Sequence, residues 1–293
     1  MTRRYLVGLI GAGITESLTP PMHEREGRAL GFDYEYRVLD ILELGRRPEE
    51  IGAMLAEAWA EGFDAVNVTH PCKQLIIPEL DALTPDAERL GAVNLVTRGA
   101  EGTLGHNTDW TGFRRSFADG LPGVAVDLVA QIGAGGAGAA TGYALLDAGT
   151  RHLLLVDDEL ERAEALARSL GELFPDRRVD ARNALNTAEF GGLDGVVHAT
   201  PTGMKEHPGT AFDVAALAPT AWLAEVVYRP LDTELLLAAR ARGLRTLDGG
   251  RMAVGQAVDA LHLITGVEPD AERMRAHFLD LVDADERTAK AAV

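Results

Sequence analysis

The sequence predicts an α/β protein made of two domains, each organised around a parallel sheet. Short apolar runs alternate with amphipathic segments in a β-α-β order, which is typical of a parallel sheet covered by helices. The pattern restarts at Val124 as a second series. The length of 293 residues is sufficient for two domains of ordinary size.

The first series contains three predicted strands, at residues 5–10, 32–39 and 65–68. A helix is predicted at residues 48–60, before the third strand. Thr19 is predicted to be the N-cap of the helix between the first two strands, with Pro20 at its first position and Gly31 after its end. Thr84 is predicted to cap a short helix that runs to about residue 90.

A predicted hairpin follows, formed by residues 92–97 and 102–104. The polar run from His106 to Asp109 is predicted to be a loop, and residues 112–118 a helix. We place the first domain boundary at about residue 107.

The second series supplies six predicted strands, at residues 128–132, 152–156, 179–182, 195–199, 223–227 and 245–247. Its predicted helices lie at 139–147, 161–170 and 233–242, and two further helices follow at 251–264 and 270–281.

The charge balance limits the classes of partner. Lys and Arg number 28 against 45 Asp and Glu, which gives a net charge of −17. Such a surface repels phosphate backbones and anionic membranes, so no nucleic-acid partner is expected. No apolar run approaches the roughly 18 residues of a membrane helix, and we expect a soluble cytoplasmic protein. An anionic ligand would need a local cationic or dipolar site.

The single cysteine, Cys72, excludes an internal disulfide and any multi-cysteine metal site. A lone thiol is more often buried and inert than catalytic. No cluster of His, Asp and Glu has the spacing of metal ligands, so no metal is expected.

The strongest motif is a glycine turn between a predicted strand and a predicted helix. Gly133, Gly135 and Gly138 fill the three positions of G-x-G-x-x-G. Phosphates bind at such a helix N-terminus because its free N–H groups and dipole favour negative charge. We therefore predict a Rossmann-type dinucleotide site along Gly133, Ala134, Gly135, Gly136, Ala137 and Gly138. The plain alternative is a tight βα turn.

Asp157 ends the next predicted strand, where a carboxylate binds the ribose hydroxyls. Asp158, Glu159 and Glu161 make this position densely acidic, which would repel a ribose 2′-phosphate. The patch therefore favours NAD over NADP. Arg162 either forms an i,i+4 pair with Asp158 or contacts the adenosine.

Candidate substrate residues lie in the first domain. Lys73 and Asn94 follow or end predicted strands and Asp109 lies in a predicted loop, so one edge of the sheet could gather all three. A lysine beside a carboxylate could remove a hydroxyl proton as a hydride leaves the carbon. Hydroxyls of a polyol could be bound by Ser17, Thr19, Thr69 and Asn94. Taken singly, these residues could equally be helix caps or form ordinary loop hydrogen bonds.

These motifs resemble the shikimate dehydrogenase family, and most closely its quinate/shikimate dehydrogenase branch. The matching segments span nearly the whole chain in family order: 17–23 (SLTPPMH), 67–74 (NVTHPCKQ), 91–94 (GAVN), 105–109 (GHNTD), 133–138, 199–204 (ATPTGM), 226–230 (VVYRP) and 248–256 (DGGRMAVGQ).

The resemblance implies roles for individual residues. Lys73 and Asp109 would form the catalytic pair. The substrate contacts would be Ser17, Thr19, Thr69, Asn94 and Gln256, with Tyr228 near the substrate carboxylate. The residues lining the nicotinamide side would be Thr200, Val227, Gly250 and Met252.

The resemblance also implies that the helix carrying Gln256 returns to the first domain. The predicted substrate-binding domain is therefore 1–107 completed by 251–293, and the predicted NAD-binding Rossmann domain is 108–250. The active site is expected in the cleft between them.

Two departures from the commoner NADP-dependent shikimate enzymes affect the expected substrate and cofactor. Those enzymes usually carry Ser where Thr19 stands, and an Asn-Arg-Thr motif where this chain has residues 157–159. We expect an NAD-dependent enzyme that oxidises the C3 hydroxyl of quinate, shikimate or both, as a monomer or homodimer. A shikimate-only or aminoquinate-type dehydrogenase, or a non-catalytic NAD- or quinate-sensing regulator, are the alternatives.

Overall fold

Two six-stranded sheets carry the fold in the computed structural model, which describes residues 3–291. The strands are β1 Arg4–Gly11, β2 Asp33–Asp40, β3 Ala65–Val68, β4 Ala82–Leu83, β5 Leu95–Gly99, β6 Gly102–His106, β7 Leu128–Ile132, β8 His152–Val156, β9 Arg178–Arg182, β10 Gly195–His198, β11 Trp222–Glu225 and β12 Arg245–Leu247.

The α-helices are α1 Thr19–Ala29, α2 Ile51–Glu61, α3 Pro85–Leu90, α4 Thr108–Gly120, α5 Gly136–Asp147, α6 Leu160–Leu173, α7 Thr187–Gly191, α8 Glu234–Ala241, α9 Gly249–Thr265 and α10 Ala271–Ala291. Short 3-10 helices lie at Pro48–Glu50, Ile77–Glu79 and Val214–Ala216. Among the helices of residues 3–291, none has the length and hydropathy needed to cross a lipid bilayer.

The first sheet has the strand order β2-β1-β3-β5-β6-β4, with β5 antiparallel to both of its neighbours. Alternate residues of β1 enter two different cores, because side chains of a strand point to opposite faces. Leu6 and Ile10 pack in one core with residues of α2. Tyr5, Val7 and Leu9 pack in the other with Ala260 and Leu261 of α9. Helix α9 thus completes the core of the N-terminal sheet.

The second sheet is entirely parallel, in the order β9-β8-β7-β10-β11-β12. Counted from β7 as the first strand, this is the order 3-2-1-4-5-6 of a Rossmann fold, in which a dinucleotide binds outside the carboxyl ends of the strands. The predicted fold class is confirmed.

Contacts group the chain into two compact units. The first contains residues up to Thr108 and from Gln256 onward, and the second is Asp109–Gly255. The continuous helix α9 therefore belongs to both units.

Two predictions of element ends are wrong. Thr19 is the first residue of α1 and not its N-cap, which is Leu18. Asp109 lies in the first turn of α4 and not in a loop, because the helix begins at Thr108. Smaller differences occur at several ends: β5 begins at Leu95, α5 begins at Gly136, β11 ends at Glu225 and α10 continues to Ala291.

Candidate functional site

The loops after β1 and β3 lie against each other. The backbone N–H of Ala12 donates to the carbonyl of His70 (2.9 Å), and that of Thr69 donates to the carbonyl of Ile10 (2.9 Å). A Cβ atom on Gly11 would lie 2.4 Å from Cγ2 of Thr69, so this approach requires glycine. Thr69, a candidate substrate residue, is thereby held half-buried beside the β1 loop.

The β1 loop is also bound by a carboxylate that the sequence analysis missed. Asp40, the last residue of β2, accepts hydrogen bonds from the backbone N–H groups of Gly13 (3.1 Å), Ile14 (2.6 Å) and Leu42 (3.0 Å). Burial alone would raise the pKa of Asp40, but these hydrogen bonds outweigh it and hold the pKa below its usual value. The ionised carboxylate therefore stabilises the loop that leads to Ser17.

Ser17 and Thr19 are neighbours at the start of α1. The backbone N–H of Thr19 donates to Oγ of Ser17 (3.3 Å), and both residues are half-buried. The Ser17 side chain thus accepts from the backbone N–H of Thr19, the first residue of α1. Both hydroxyl-bearing residues stand in the segment that Asp40 supports.

Asn94 and Thr108 form a two-point contact. The Asn94 side chain donates through Nδ2 to Oγ1 of Thr108 (2.9 Å) and accepts through Oδ1 from its backbone N–H (2.7 Å). This contact explains why α4 begins at Thr108. Asp109 follows at once in the first helical turn, where the helix dipole favours its negative charge.

Lys73 lies in the turn segment after β3 and is half-buried. Its backbone carbonyl accepts from the N–H of Val93 (2.9 Å), which places this turn beside the residue that precedes Asn94. Within the first unit the structure therefore brings the Lys73 backbone, Asn94 and Thr108 together. Asp109 belongs to the second unit by contacts, so its pairing with Lys73 stays a prediction.

Cys72, adjacent to Lys73, is fully buried in the core beneath β3. Burial, with a smaller contribution from Glu49, raises the pKa of its thiol. A reactive thiolate is therefore disfavoured here.

The glycine turn has the geometry that its motif requires. Gly133 has φ +107°, and a Cβ there would lie 2.4 Å from the carbonyl oxygen of Ala199. A Cβ on Gly138 would lie 2.3 Å from the carbonyl oxygen of Gly133. At Gly135 and Gly136, in contrast, no atom of the described chain beyond the adjoining backbone lies within 4 Å of the Cβ position. The turn is closed underneath and open at its exposed tip, as a phosphate-binding turn must be.

One amide supports this turn from below. Gln131, fully buried in β7, donates to the carbonyls of Gly133 (2.9 Å) and Gly138 (2.8 Å) and accepts from the Thr141 hydroxyl (2.8 Å). Gln131 is a supporting residue that the sequence motifs do not predict. The available signal was a polar residue inside an otherwise apolar strand.

The carboxylate of Asp157 joins the end of β8 to the glycine turn. It accepts from the backbone N–H of Ala134 (2.9 Å) and of Glu159 (3.0 Å), and its side chain is 9% exposed. Arg162 pairs with Glu159 (2.5 Å) and lies 3.5 Å from Asp157. The sequence suggested Asp158 as the partner of Arg162. The structure instead pairs Arg162 with Asp157 and Glu159, the residues on either side of Asp158.

The other expected cofactor residues surround the ends of β10 and β11. Thr200 follows β10, and its Cγ2 lies 2.9 Å from the Cβ position of Gly133. Val227 is buried after β11, and a Cβ on Gly249 would lie 2.4 Å from its carbonyl oxygen. The first turn of α9, which contains Gly250 and Met252, is thus adjacent to the segment after β11.

Two expected substrate residues lie farther along the chain. Tyr228 is half-buried, and burial, partly offset by Arg229, raises the pKa of its phenol. Gln256 is half-buried in α9, at the point where contacts return to the first unit.

Comparison with known proteins gives concordant results. Residues 9–96 match the family model described as the shikimate dehydrogenase substrate binding domain. A Pseudarthrobacter chlorophenolicus protein named shikimate dehydrogenase (NADP(+)) is 53% identical, over 98% of this chain and 99% of its own length. A Corynebacterium efficiens protein named quinate/shikimate dehydrogenase (NAD(+)) is 48% identical, over 94% of this chain and 98% of its own length.

Among solved structures, quinate dehydrogenase from Corynebacterium glutamicum in complex with NAD superposes with a TM-score of 0.91 at 46% identity, covering 95% of this chain and all of that one. Identity at this level over nearly complete chains identifies the family. The chain belongs to the shikimate dehydrogenase family.

Proposed function

We propose that this chain is an NAD-dependent dehydrogenase that oxidises the C3 hydroxyl of quinate, shikimate or both, giving 3-dehydroquinate or 3-dehydroshikimate. The observation that carries the cofactor choice is the acidic end of β8. Asp157 is bonded to the glycine turn itself, at the place where the adenosine ribose binds in this fold.

The carboxylates at the end of β8 also form ion pairs with Arg162, the nearby cation. Arg162 is paired with Glu159 and lies close to Asp157, so a ribose 2′-phosphate would have to compete with two carboxylates for it. Relatives of both cofactor classes have comparable identity, so identity does not decide between NAD and NADP. We therefore rest the choice of NAD on the local charge.

In the proposed reaction the chain's own residues hold the substrate and move its proton. Ser17, Thr19 and Thr69 bind ring hydroxyls, and Asn94 positions the segment that carries Asp109. Lys73, coupled to Asp109, accepts the C3 hydroxyl proton as the carbonyl forms. NAD+, when bound, accepts the hydride from C3 with both electrons, and the hydroxyl proton leaves to solvent through Lys73 and Asp109.

The substrate carboxylate has two proposed donors. The Tyr228 phenol is protonated at neutral pH, since its ordinary pKa of 10 is raised further by burial, and it can donate a hydrogen bond to a carboxylate. Gln256 can donate through its side-chain amide. Residues 1–107 with 251–293 would then be the substrate-binding domain, and residues 108–250 the NAD-binding domain.

Absorbance growth at 340 nm tests the proposal directly. Quinate and shikimate are each supplied with NAD+ and with NADP+. We expect turnover with NAD+ and at least one of the two acids, and equal or faster turnover with NADP+ would contradict the cofactor assignment.

The second candidate, an NADP-dependent shikimate dehydrogenase, is favoured by the 53% identical relative that carries that name. We further propose a cytoplasmic enzyme, monomeric or homodimeric.

A further inference from the structure

A buried chain of hydrogen bonds lies behind Thr200. His198 and Glu225 are the last residues of β10 and β11 and occupy paired positions on these adjacent parallel strands. His198 Nδ1 contacts Glu225 Oε1 at 2.7 Å, and its Nε2 contacts Thr200 Oγ1 at 2.5 Å. The Thr233 hydroxyl contacts Glu225 Oε2 at 2.5 Å. We call His198, Glu225 and Thr233 the His198 network.

Burial makes this arrangement costly unless every partner is supplied. His198, Glu225 and Thr233 are each 1% exposed. Replacing both partners of a buried hydrogen bond by apolar groups of the same shape can be nearly neutral or stabilising. Stability therefore does not require a histidine and a carboxylate here. What this pair supplies and an apolar pair cannot is a fixed direction for each hydrogen bond.

The direction can be followed from Glu225 outward. A carboxylate oxygen accepts, so we assign His198 the tautomer whose Nδ1 hydrogen points to Glu225 Oε1, and its Nε2 then accepts the hydroxyl hydrogen of Thr200. Oγ1 of Thr200 also accepts from the backbone N–H of Thr202 (3.3 Å). A hydroxyl oxygen has two acceptor positions, so one remains. Thr200 can then meet a ligand only as an acceptor.

The position of Thr200 identifies the half of the dinucleotide it meets. In the strand order described above, the glycine turn follows β7 and Asp157 follows β8, on the adenosine side. The remaining half of the dinucleotide must extend to the opposite side of β7, over the end of β10. Thr200 follows β10 and lies against Gly133.

We propose that His198 and Glu225 are positioning residues that hold the Thr200 hydroxyl as an acceptor for the carboxamide N–H of the nicotinamide. This inference rests on the proposed function, since it needs a nicotinamide dinucleotide. It assigns a cofactor-orienting role to two residues that make no contact with the cofactor themselves.

The test compares three ligands on the full-length protein: NAD+, its 3-acetylpyridine analogue, which lacks the carboxamide N–H, and ADP-ribose, which lacks the nicotinamide ring. The main variant combines His198→Leu with Glu225→Met and removes both polar partners together. Thr200→Val removes the acceptor. Thr150→Val is the matched control, because Thr150 is a fully buried threonine whose hydroxyl has no hydrogen-bond partner in the described chain.

For the double variant and for Thr200→Val we expect NAD+ affinity to fall about tenfold, the loss of roughly one hydrogen bond. Affinities for ADP-ribose and for the acetylpyridine analogue should stay within about twofold, as should all three affinities of the Thr150→Val control. Thr200→Val should also have a smaller effect in the double-variant background, because the two changes remove one interaction.

Equal weakening of all three ligands would indicate a structural role and overturn the proposal, and so would unchanged NAD+ affinity. If the double variant does not fold, Glu225→Gln takes its place with the same expected pattern, because an amide has one acceptor oxygen and cannot accept from both His198 and Thr233. If the wild type prefers NADP+, the cofactor assignment has failed. The network is then tested with NADP+ and 2′-phospho-ADP-ribose.

Discussion

The carboxyl end of β7 and the carboxyl ends of β1 and β3 hold their loops by different means. At β7 the loop is shaped by its own backbone: glycines allow the close approaches, and a single buried amide, Gln131, binds two of its carbonyls. At β1 the loop is held by a side chain from elsewhere in the sequence, Asp40, which is 26 residues from the Ile14 N–H that it binds.

This difference decides what each loop can do. A backbone-shaped turn presents N–H groups and space, which suits the phosphates shared by all dinucleotides. Loops held by distant side chains can carry varied hydroxyls such as Ser17, Thr19 and Thr69, which suits a particular polyol. We therefore expect substitutions in the glycine turn after β7 and in the loops after β1 and β3 to impair different properties of the protein.

Lys73→Ala should have the largest effect. Turnover should fall by about 10²–10⁴-fold, because general base catalysis is lost, while the Kd for NAD+ stays nearly unchanged. Steady-state kinetics and a separate NAD+ titration measure the two quantities. Lys205→Ala, at an exposed lysine of the second unit, is the control and should retain wild-type turnover. Near-normal turnover of Lys73→Ala would show that another group takes the proton.

Alanine substitutions at Gly138 and Gly135 distinguish the glycine that the packing of the turn requires from the glycine that leaves room for phosphate. Gly138→Ala should lower the free energy of unfolding by about 1–3 kcal/mol, because its Cβ meets the Gly133 carbonyl at 2.3 Å. Gly135→Ala should leave stability unchanged or raise it by up to about 1 kcal/mol, since φ is −76° and the Cβ position is open. Denaturant unfolding measures both.

Gly135→Ala should nevertheless weaken NAD+ binding strongly, because the new methyl group takes phosphate space. Tight NAD+ binding by this variant would contradict the placement of the pyrophosphate.

Asp40→Asn tests the side-chain-held loop. We expect the free energy of unfolding at pH 7 to fall by about 1–3 kcal/mol, and the KM for the acid substrate to rise, as charged acceptors of backbone N–H groups are lost. Asp33→Asn is the matched control at the other end of β2, where the carboxylate is exposed, and should change stability by less than about 0.5 kcal/mol.

The pH dependence of Asp40 has a definite sign. Its pKa is lower in the folded protein than the ordinary 3.8, so its stabilisation is present above that pH and is lost as pH falls through the folded value. The stability difference between wild type and Asp40→Asn should therefore shrink in acid. A difference that stays constant from pH 7 to pH 3 would exclude the ionised carboxylate as its source.

The smallest expected effect is on cofactor preference. Asp157→Asn keeps an oxygen for the Ala134 N–H and removes one charge, so the ratio of kcat/KM for NAD+ over NADP+ should fall by about tenfold. Asp176→Asn, at an exposed carboxylate of the same unit, should leave the ratio unchanged. An unaltered ratio in Asp157→Asn would assign discrimination to another residue.

The glycine turn and the strands around it could be predicted because backbone geometry leaves a local signature. Gly133 and Gly138 stand where any side chain would collide, and strands such as β3 and β8 are short apolar runs with clear ends. The family resemblance adds expected roles for residues without a local signal, including Gln256, and these roles stay predictions.

Contacts between distant segments could not be predicted from the sequence. The run from His106 to Asp109 is polar and was assigned to a loop, whereas the side chain of Asn94 holds Thr108 at the start of a helix. Likewise, nothing near Asp40 indicates that its carboxylate binds Gly13 and Ile14. These contacts join residues that lie far apart in the sequence, so local patterns of polarity and spacing do not reveal them.

The chain order of the first unit has a consequence for synthesis on the ribosome. Tyr5, Val7 and Leu9 leave the ribosome long before Ala260 and Leu261, which pack against them. The buried carboxylate of Glu26 likewise binds the guanidinium of Arg273, which is synthesised much later. We therefore expect the second unit, Asp109–Gly255, to fold on the ribosome before the first unit, whose core needs residues that follow Gly255.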